Sequence, residues 1–400
     1  MSRSSDFLIV GAGVIGLRIA IETKRRFPDA DVTLLEKEAR PGRHASGRNS
    51  GVLHAGFYYT ADSFKARFTR IGNQRMADYC RIQGLRINRC GKLVVARNES
   101  ELGVLDELLR RAERNGVQLR DVSETEAREI EPRVMTHGRA LFSPSTATVD
   151  PLEIVDAFAR EAGSAGVDFR LSTSYAGRRG DKILTSDGPI EAAYLINAAG
   201  LYADGIARDF GFAQRYRILP FKGLYLEADP DAYSLNTCIY PVPDLATPFL
   251  GVHLTVAVDG HVTIGPTAVP ALWREQYGWL DNFRLGEFLA ITRLEGKMFL
   301  LDRAEFRRVA LHEIPKYYRP RLVGMAARLA GGVRPADFRR WGRAGIRAQL
   351  LDIVEHELVN DFRVEGDGRS FHVLNAVSPA FTCAIPFAEF VLDEIERRLG

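Results

Sequence analysis

The first thirty-seven residues restrict the fold more than any other part of the chain. Phe7–Val10 is an apolar run that leads directly into Gly11-Ala12-Gly13-Val14-Ile15-Gly16. Leu17, Ile19, Ala20 and Ile21 then carry an apolar helical stretch toward Arg26, and Val32–Leu35 reads as a buried strand ending in Glu36-Lys37. The order is strand, glycine turn, helix, strand, and then an acid twenty residues after the last glycine. In a dinucleotide-binding unit each glycine has its own role. Gly11 makes the tight turn, Gly13 admits a pyrophosphate to the backbone, and Gly16 lets helix and strand pack closely. The helix start, with the N–H groups of Val14 and Ile15, offers partial positive charge to phosphates. Glu36, followed by Lys37, is placed to accept hydrogen bonds from an adenosine ribose. FAD and NAD(P) fit the motif equally well, although an acid at this strand disfavours NADP.

Further along, the pattern changes type repeatedly. Lys92–Ala96 reads as a strand, followed by an amphipathic helix with Leu102, Leu105, Leu108 and Leu109 on one face. Asp150-Pro151 opens another helix, with Asp as cap and Pro at the first helical position. Strands are expected at 168–171, 182–185 and 193–196, and a β-rich stretch at 216–266 has strands at 223–226, 237–240, 251–256 and 261–264. Helices follow at 285–299 and 320–329, strands at 347–350 and 371–374, and a closing helix at about 383–399. The fold class is therefore α/β (α+β overall): a discontinuous Rossmann-like lobe from 1–88, 148–215 and 345–400, and a β-sheet-rich lobe from 89–147 and 216–344.

Composition supports this reading and removes alternatives. Of 400 residues, 46% are hydrophobic and 26% charged, which excludes a disordered or disulfide-stapled chain. The net charge of +3 gives no ground for a nucleic-acid partner. Cys80, Cys90, Cys238 and Cys383 form no C-x-x-C pair, and no histidine cluster has metal-ligand spacing, so no metal is expected. A reduced, cytoplasmic chain is expected, without a signal peptide or a spanning segment. Trp273-Arg274-Glu275-Gln276-Tyr277-Gly278-Trp279, with Phe283 and Phe288, leaves open a peripheral contact with the inner face of a membrane.

Residues 42–59 decide the family. They read Gly-Arg-His-Ala-Ser-Gly-Arg-Asn-Ser-Gly-Val-Leu-His-Ala-Gly-Phe-Tyr-Tyr, too rich in glycine and small polar residues for a regular element. With the glycine motif and the acid, this loop resembles the FAD-dependent oxidoreductases related to D-amino-acid oxidase. Within them, His44–Tyr59 is similar to the L-2-hydroxyglutarate dehydrogenases/oxidases. The likeness continues through Ile239–Thr255, Val262–Val269, Arg343–Gln349 and His372–Thr382. Where family members tend to carry Arg-Gly-Glu-Tyr, this chain has Lys222-Gly223-Leu224-Tyr225, which keeps the positive charge but loses a bidentate fork and a carboxylate.

The resemblance implies FAD as cofactor and a small 2-hydroxy (di)carboxylate as substrate, with oxygen or a quinone as electron acceptor. It implies that Arg43, His44, Ser46, Arg48, Asn49, Ser50 and Gly51 cradle the flavin. Ala199-Gly200 would pass close to it, and Ser378, Pro379 and Thr382 would face its pyrimidine edge, with His44 and His372 supporting the cofactor. Oxidising a 2-hydroxy acid then needs a proton acceptor, for which His54 is the first candidate and His253 the second. Thr255 would share a strand face with His253. Lys222 and Arg347 are the candidate carboxylate anchors, with Tyr58, Tyr59 and Tyr240 as neutral donors. Two other readings stay open: the same flavin acting on another 2-hydroxy acid, an amino acid or a glycerol phosphate, and a flavin-binding protein without turnover.

Overall fold

Arg3–Val10 is the strand on which the first part of the molecule is built. In the computed structural model, which describes residues 3–245, 250–301 and 306–400, it pairs in parallel with Val32–Leu35 on one side and Gly188–Asn197 on the other. Asp168–Arg170 extends the sheet beyond Val32–Leu35, and Ser370–Asn375 pairs in parallel with the end of Gly188–Asn197. The antiparallel strands Lys182–Thr185 and Tyr175–Arg179 complete the other edge. Parallel neighbours require crossovers, and Val14–Arg26 supplies the first, with every residue from Val14 to Thr23 buried. It packs against Pro151–Ser164 and Ala380–Leu399, with Arg18 bonded to Glu161 at 3.2 Å and Arg26 to Glu396 at 2.9 Å.

The chain divides into two compact units, one from Met1–Arg48, Pro151–Leu219 and Arg347–Gly400, the other from Asn49–Asp150 and Pro220–Ile346. Residues 49–88, expected with the Rossmann-like lobe, fall in the second unit. The reason is long-range pairing: Val52-Leu53 pairs with Thr148 and Ala147, and Ile87-Asn88 with Val149 and Thr148. Asn73 adds hydrogen bonds to the carbonyls of Leu53 and Ser145.

The second unit is organised by a sheet of eight strands among the described residues, with Lys92–Val95 and Cys238–Pro241 paired in parallel near its middle. Cys238–Pro241 continues antiparallel to His253–Val256, and that strand to Val262–Gly265. The register matches Lys92 with Cys238, Val94 with Tyr240, and Ile239 with Leu254. Because side chains alternate across a strand, Lys92, Val94, Cys238, Tyr240, His253 and Thr255 share one face. Leu93, Val95, Ile239, Leu254 and Ile264 take the other, packed with Leu322, Val323 and Ala326 from the helix Arg319–Ala326. Leu105 and Leu108 of the helix Leu102–Arg114 are fully buried against Val94, Phe57 and Tyr58. The strand expected at 223–226 is corrected: the strand runs Tyr216–Gly223 and stops there. Leu224 instead exchanges bonds with Thr267, its N–H donating to the hydroxyl and its carbonyl accepting from the Thr267 N–H. Residues 246–249, inside the Ile239–Thr255 block, lie outside the described residues.

Candidate functional site

Steric requirement explains the glycine turn of the first unit. Gly11 has φ +104°, and a Cβ there would stand 2.6 Å from the Ala198 carbonyl oxygen; a Cβ on Gly16 would stand 1.9 Å from the Gly11 oxygen. The strand end Asn197, the Ala198-Ala199 turn and the glycine loop thus meet backbone to backbone, and Gly200 leaves the turn at φ +54°. Gly13 caps the helix without a side chain, and the Val14 N–H donates to the Ser46 hydroxyl at 2.9 Å. Glu36 is buried, and its two carboxylate oxygens accept from the N–H groups of Ala12 (2.9 Å) and Glu38 (3.0 Å). The acid therefore ties the glycine turn to the second strand and retains lone pairs for a further donor.

The loop after the acid is held by its own polar groups. His44 Nε2 lies 3.0 Å from Glu38, which also bonds Lys37. Burial would raise the Glu38 carboxyl, but Lys37 and His44 outweigh it and hold the group below its ordinary value. The exposed Arg43 accepts from Arg48 Nε through its carbonyl. His372, expected to support the cofactor, is held by its neighbours: Asn197 Nδ2 donates to its Nδ1 at 3.1 Å and its Nε2 lies 3.0 Å from the Ser370 hydroxyl. Both ring nitrogens are taken, and burial lowers its pKa to about 4. Thr382 is fully buried in the first turn of Ala380–Leu399, behind the buried Pro379, while Ser378 is exposed.

In the second unit, Asn49 Oδ1 accepts from the Gly51 N–H at 2.9 Å, turning the chain after Ser50 into Val52-Leu53. That segment brings His54 and Tyr58 to the sheet face described above. His253 stacks on Tyr240, ring centroids 3.6 Å apart. Its Nδ1 is 3.0 Å from the Gly251 carbonyl, which can only accept, so a neutral His253 carries its proton there and presents a lone pair at Nε2. Burial first, and the Lys92 charge second, lower the His54 pKa to about 3. Burial pushes the Tyr58 and Tyr240 hydroxyls up.

Lys92 is the residue that sequence reasoning passes over. Its ammonium sits 4.7 Å from the Phe57 ring centroid, 4.6 Å from Tyr58 and 4.8 Å from Tyr240, in a side chain with 0% exposure. The available signal is a lysine at an alternating position of an otherwise apolar strand, Lys-Leu-Val-Val. The expected anchors belong to other strands. Lys222 is buried on another sheet, paired with Val269 and 5.9 Å from the Tyr317 ring, and burial lowers its pKa. Arg347 belongs to the first unit, half-buried in Gly345–Asp352. Tyr59 is half-buried, and its carbonyl accepts from Asn115.

A sequence profile described as FAD dependent oxidoreductase (DAO) matches residues 6–393. The chain belongs to this family of FAD-dependent oxidoreductases. Among its relatives, the L-2-hydroxyglutarate dehydrogenase of Salmonella houtenae is 36% identical, over 98% of this chain and 93% of the relative. That of Escherichia coli K12 is 35% identical (99% and 94%), and the mitochondrial protein of Homo sapiens 33% (99% and 90%). The resemblance read from His44–Tyr59 is borne out by these full-length matches. Among solved structures, the FAD-bound L-alpha-glycerophosphate oxidase of Mycoplasma pneumoniae superimposes with a TM-score of 0.76 at 21% identity, covering 98% of this chain and 95% of that one. Glycine oxidase from Geobacillus kaustophilus gives 0.74 at 19% (99% and 96%). These two show the shared fold.

As a flavoenzyme of this family the chain takes FAD, and the glycine turn fits that cofactor. Side chains are excluded at Gly11 and Gly16 by backbone contact, at the start of a thirteen-residue helix that has no acid in its first turn and whose positive end favours a phosphate.

Proposed function

We propose that the enzyme oxidises L-2-hydroxyglutarate to 2-oxoglutarate. The observation that carries this reading is the full-length likeness to dehydrogenases of that name, 36% identical over 98% of the chain. We assign the FAD pyrophosphate to Gly11–Gly16, its ribose to Glu36, and its ring system to the Arg43–Gly51 loop, Ala199-Gly200 and the Ser378–Thr382 helix start. FAD, when bound, supplies the two-electron acceptor for the hydride leaving the α carbon. The protein's part is to hold the substrate and take the hydroxyl proton. Neutral imidazoles suit the proton transfer, and His54 is kept neutral by burial and by Lys92. His253, with its proton committed to Gly251, offers Nε2 on the same sheet face. Lys222 and Arg347 remain the assigned partners for carboxylate.

Anaerobic addition of L-2-hydroxyglutarate to the purified flavoprotein should bleach the oxidised-flavin absorbance. Bleaching by an amino acid or a glycerol phosphate instead would replace the substrate, and bleaching by none would leave a flavin-binding protein without turnover.

For the acceptor, we infer a quinone reached at the inner, cytoplasmic face of a membrane. Trp273 is buried, its indole N–H donating to the Asp281 carbonyl at 2.7 Å, but Trp279 and Leu280 are 88% and 66% exposed. Leu285 and Leu289 are exposed beside Arg284 and Arg293, a mixture suited to an anionic lipid surface. Among the described residues no helix is long and apolar enough to cross a membrane. Replacing Trp279 and Leu280 together by serine should reduce co-sedimentation with anionic vesicles; unchanged sedimentation would remove this part of the reading.

A further inference from the structure

Two buried lysines of the second unit make an instructive contrast. Lys316 has its carboxylate: Glu313 is bonded to it, and the same carboxylate accepts from the Ala268 N–H. Lys92 is equally enclosed, yet its ammonium has no hydrogen-bond partner among the described residues, and neither does the hydroxyl of Tyr58, whose ring faces it. Three aromatic rings face the amine at 4.6 to 4.8 Å and attract it through their π faces. Rings leave three N–H donors unused, and an unsatisfied buried charge is costly. The ionisable groups that face it are His54 and Tyr58 from the segment after Val52-Leu53, Cys90 preceding its own strand, Cys238 and Tyr240 from the paired strand, and His253 stacked on Tyr240. No carboxylate is among them. The cluster lies on the sheet face that also carries His253 and Thr255, so a ligand entering there meets an amine and a phenol with unused donors.

We propose that Lys92 and the Tyr58 hydroxyl form a carboxylate subsite, which holds one acid group of a dicarboxylic substrate. This deepens the reading of the enzyme as one that oxidises a hydroxy diacid and rests on it. The sheet positions the amine: Lys92 is fixed between Cys238 and Ser143 in register, and the Phe57–Tyr58 pair closes over it. An incoming carboxylate supplies the missing acceptor in a site already free of water-exposed surface, where charge-assisted bonds are strongest. Burial lowers the amine to about pH 7, so the anion binds to its protonated form and binding weakens as the amine loses its proton.

The test uses the FAD-loaded protein and glutarate, a five-carbon diacid that has no hydroxyl to oxidise, with binding read from the perturbed flavin spectrum. Lys92→Met should weaken glutarate by on the order of 10- to 100-fold, the effect of losing a hydrogen bond to a charged group, and should leave the uncharged diamide of glutarate unaffected. In the wild type, glutarate affinity should fall between about pH 6 and pH 9, approaching tenfold per unit above the amine's pKa. Cys90→Ser should keep that pH dependence, because it removes the neighbouring thiol whose ionisation would act in the same direction. Glutarate bound equally by wild type and Lys92→Met, affinity level with pH, or no glutarate binding by the wild type overturns the subsite. Should Lys92→Met fail to fold, the wild-type and Cys90→Ser pH profiles decide. Lys92-dependent glutarate binding in an enzyme that L-2-hydroxyglutarate does not reduce overturns the substrate assignment and leaves the subsite standing.

Discussion

Replacing His54 by alanine should slow flavin reduction by ~10²–10⁴-fold, the range for loss of a general base, while FAD stays bound. The pH profile refines the test. A histidine held to about pH 3 by burial and by Lys92 is unprotonated throughout the neutral range, so the reduction rate should show no acid limb near pH 6.5. Stopped-flow reduction of the wild type at saturating substrate reads this directly. A limb near pH 6.5, together with a fast His54→Ala variant, would move the role to His253, whose Nδ1 proton is held by the Gly251 carbonyl. Lys222 and Arg347 behave differently in this scheme: replacing either should raise the substrate concentration needed more than it lowers the limiting rate, because a carboxylate partner acts in ground and transition states alike.

Gly16 shows how one backbone position governs an element. A methyl group there meets the Gly11 oxygen at 1.9 Å, and backbone on both sides cannot yield as a flexible side chain would. Gly16→Ala should therefore separate Val14–Arg26 from Arg3–Val10 and yield colourless protein, measured as the ratio of flavin to protein absorbance after purification. Retention of full FAD would show that the helix can shift instead. This unit is legible in the sequence because local rules dominate it: strand, turn, helix and acid follow one another within one stretch. The helix Phe64–Gln83 escapes the pattern, although its ends carry signals, with the Ser63 hydroxyl accepting from the Ala66 N–H and Gly84 left-handed at φ +64°. Its interior is polar, and the buried Phe68, Gly72, Met76 and Cys80 recur at four-residue intervals through a run of arginine, asparagine and glutamine. Lys92 is hidden for a different reason. A lysine in a strand reads as a solvent-facing residue until Phe57, Tyr58 and Tyr240, distant in sequence, are seen around it.

Across the whole molecule, non-local pairing decides what the sequence pattern leaves unassigned. Residues 49–88 join the second unit through Thr148 and Val149, far along the chain, a choice no window of periodicity contains. Non-local burial also sets how the fold responds to acid. His372 in the first unit and His54 in the second titrate in the folded state at about 4 and about 3, well below the ordinary imidazole value of 6.5. Unfolding releases each imidazole to water, where it binds a proton below about pH 6.5, so the unfolded state holds more protons than the folded state in that window. Stability must then rise with pH, and conversely be lost as pH falls from about 6.5 toward 4, by about 1.4 kcal/mol per pH unit for each histidine. Carboxylates such as Glu38, held below their ordinary value by Lys37 and His44, add a further loss at lower pH. His372→Gln isolates one contribution, because an amide offers an acceptor to Asn197 or a donor to Ser370 without titrating. Measured by urea unfolding at about pH 7 and about pH 5, the variant should lose about 2 kcal/mol less than the wild type between the two conditions. Equal losses would mean that His372 takes up its proton in the folded protein, and that the Asn197–His372–Ser370 chain opens before the rest of the sheet does.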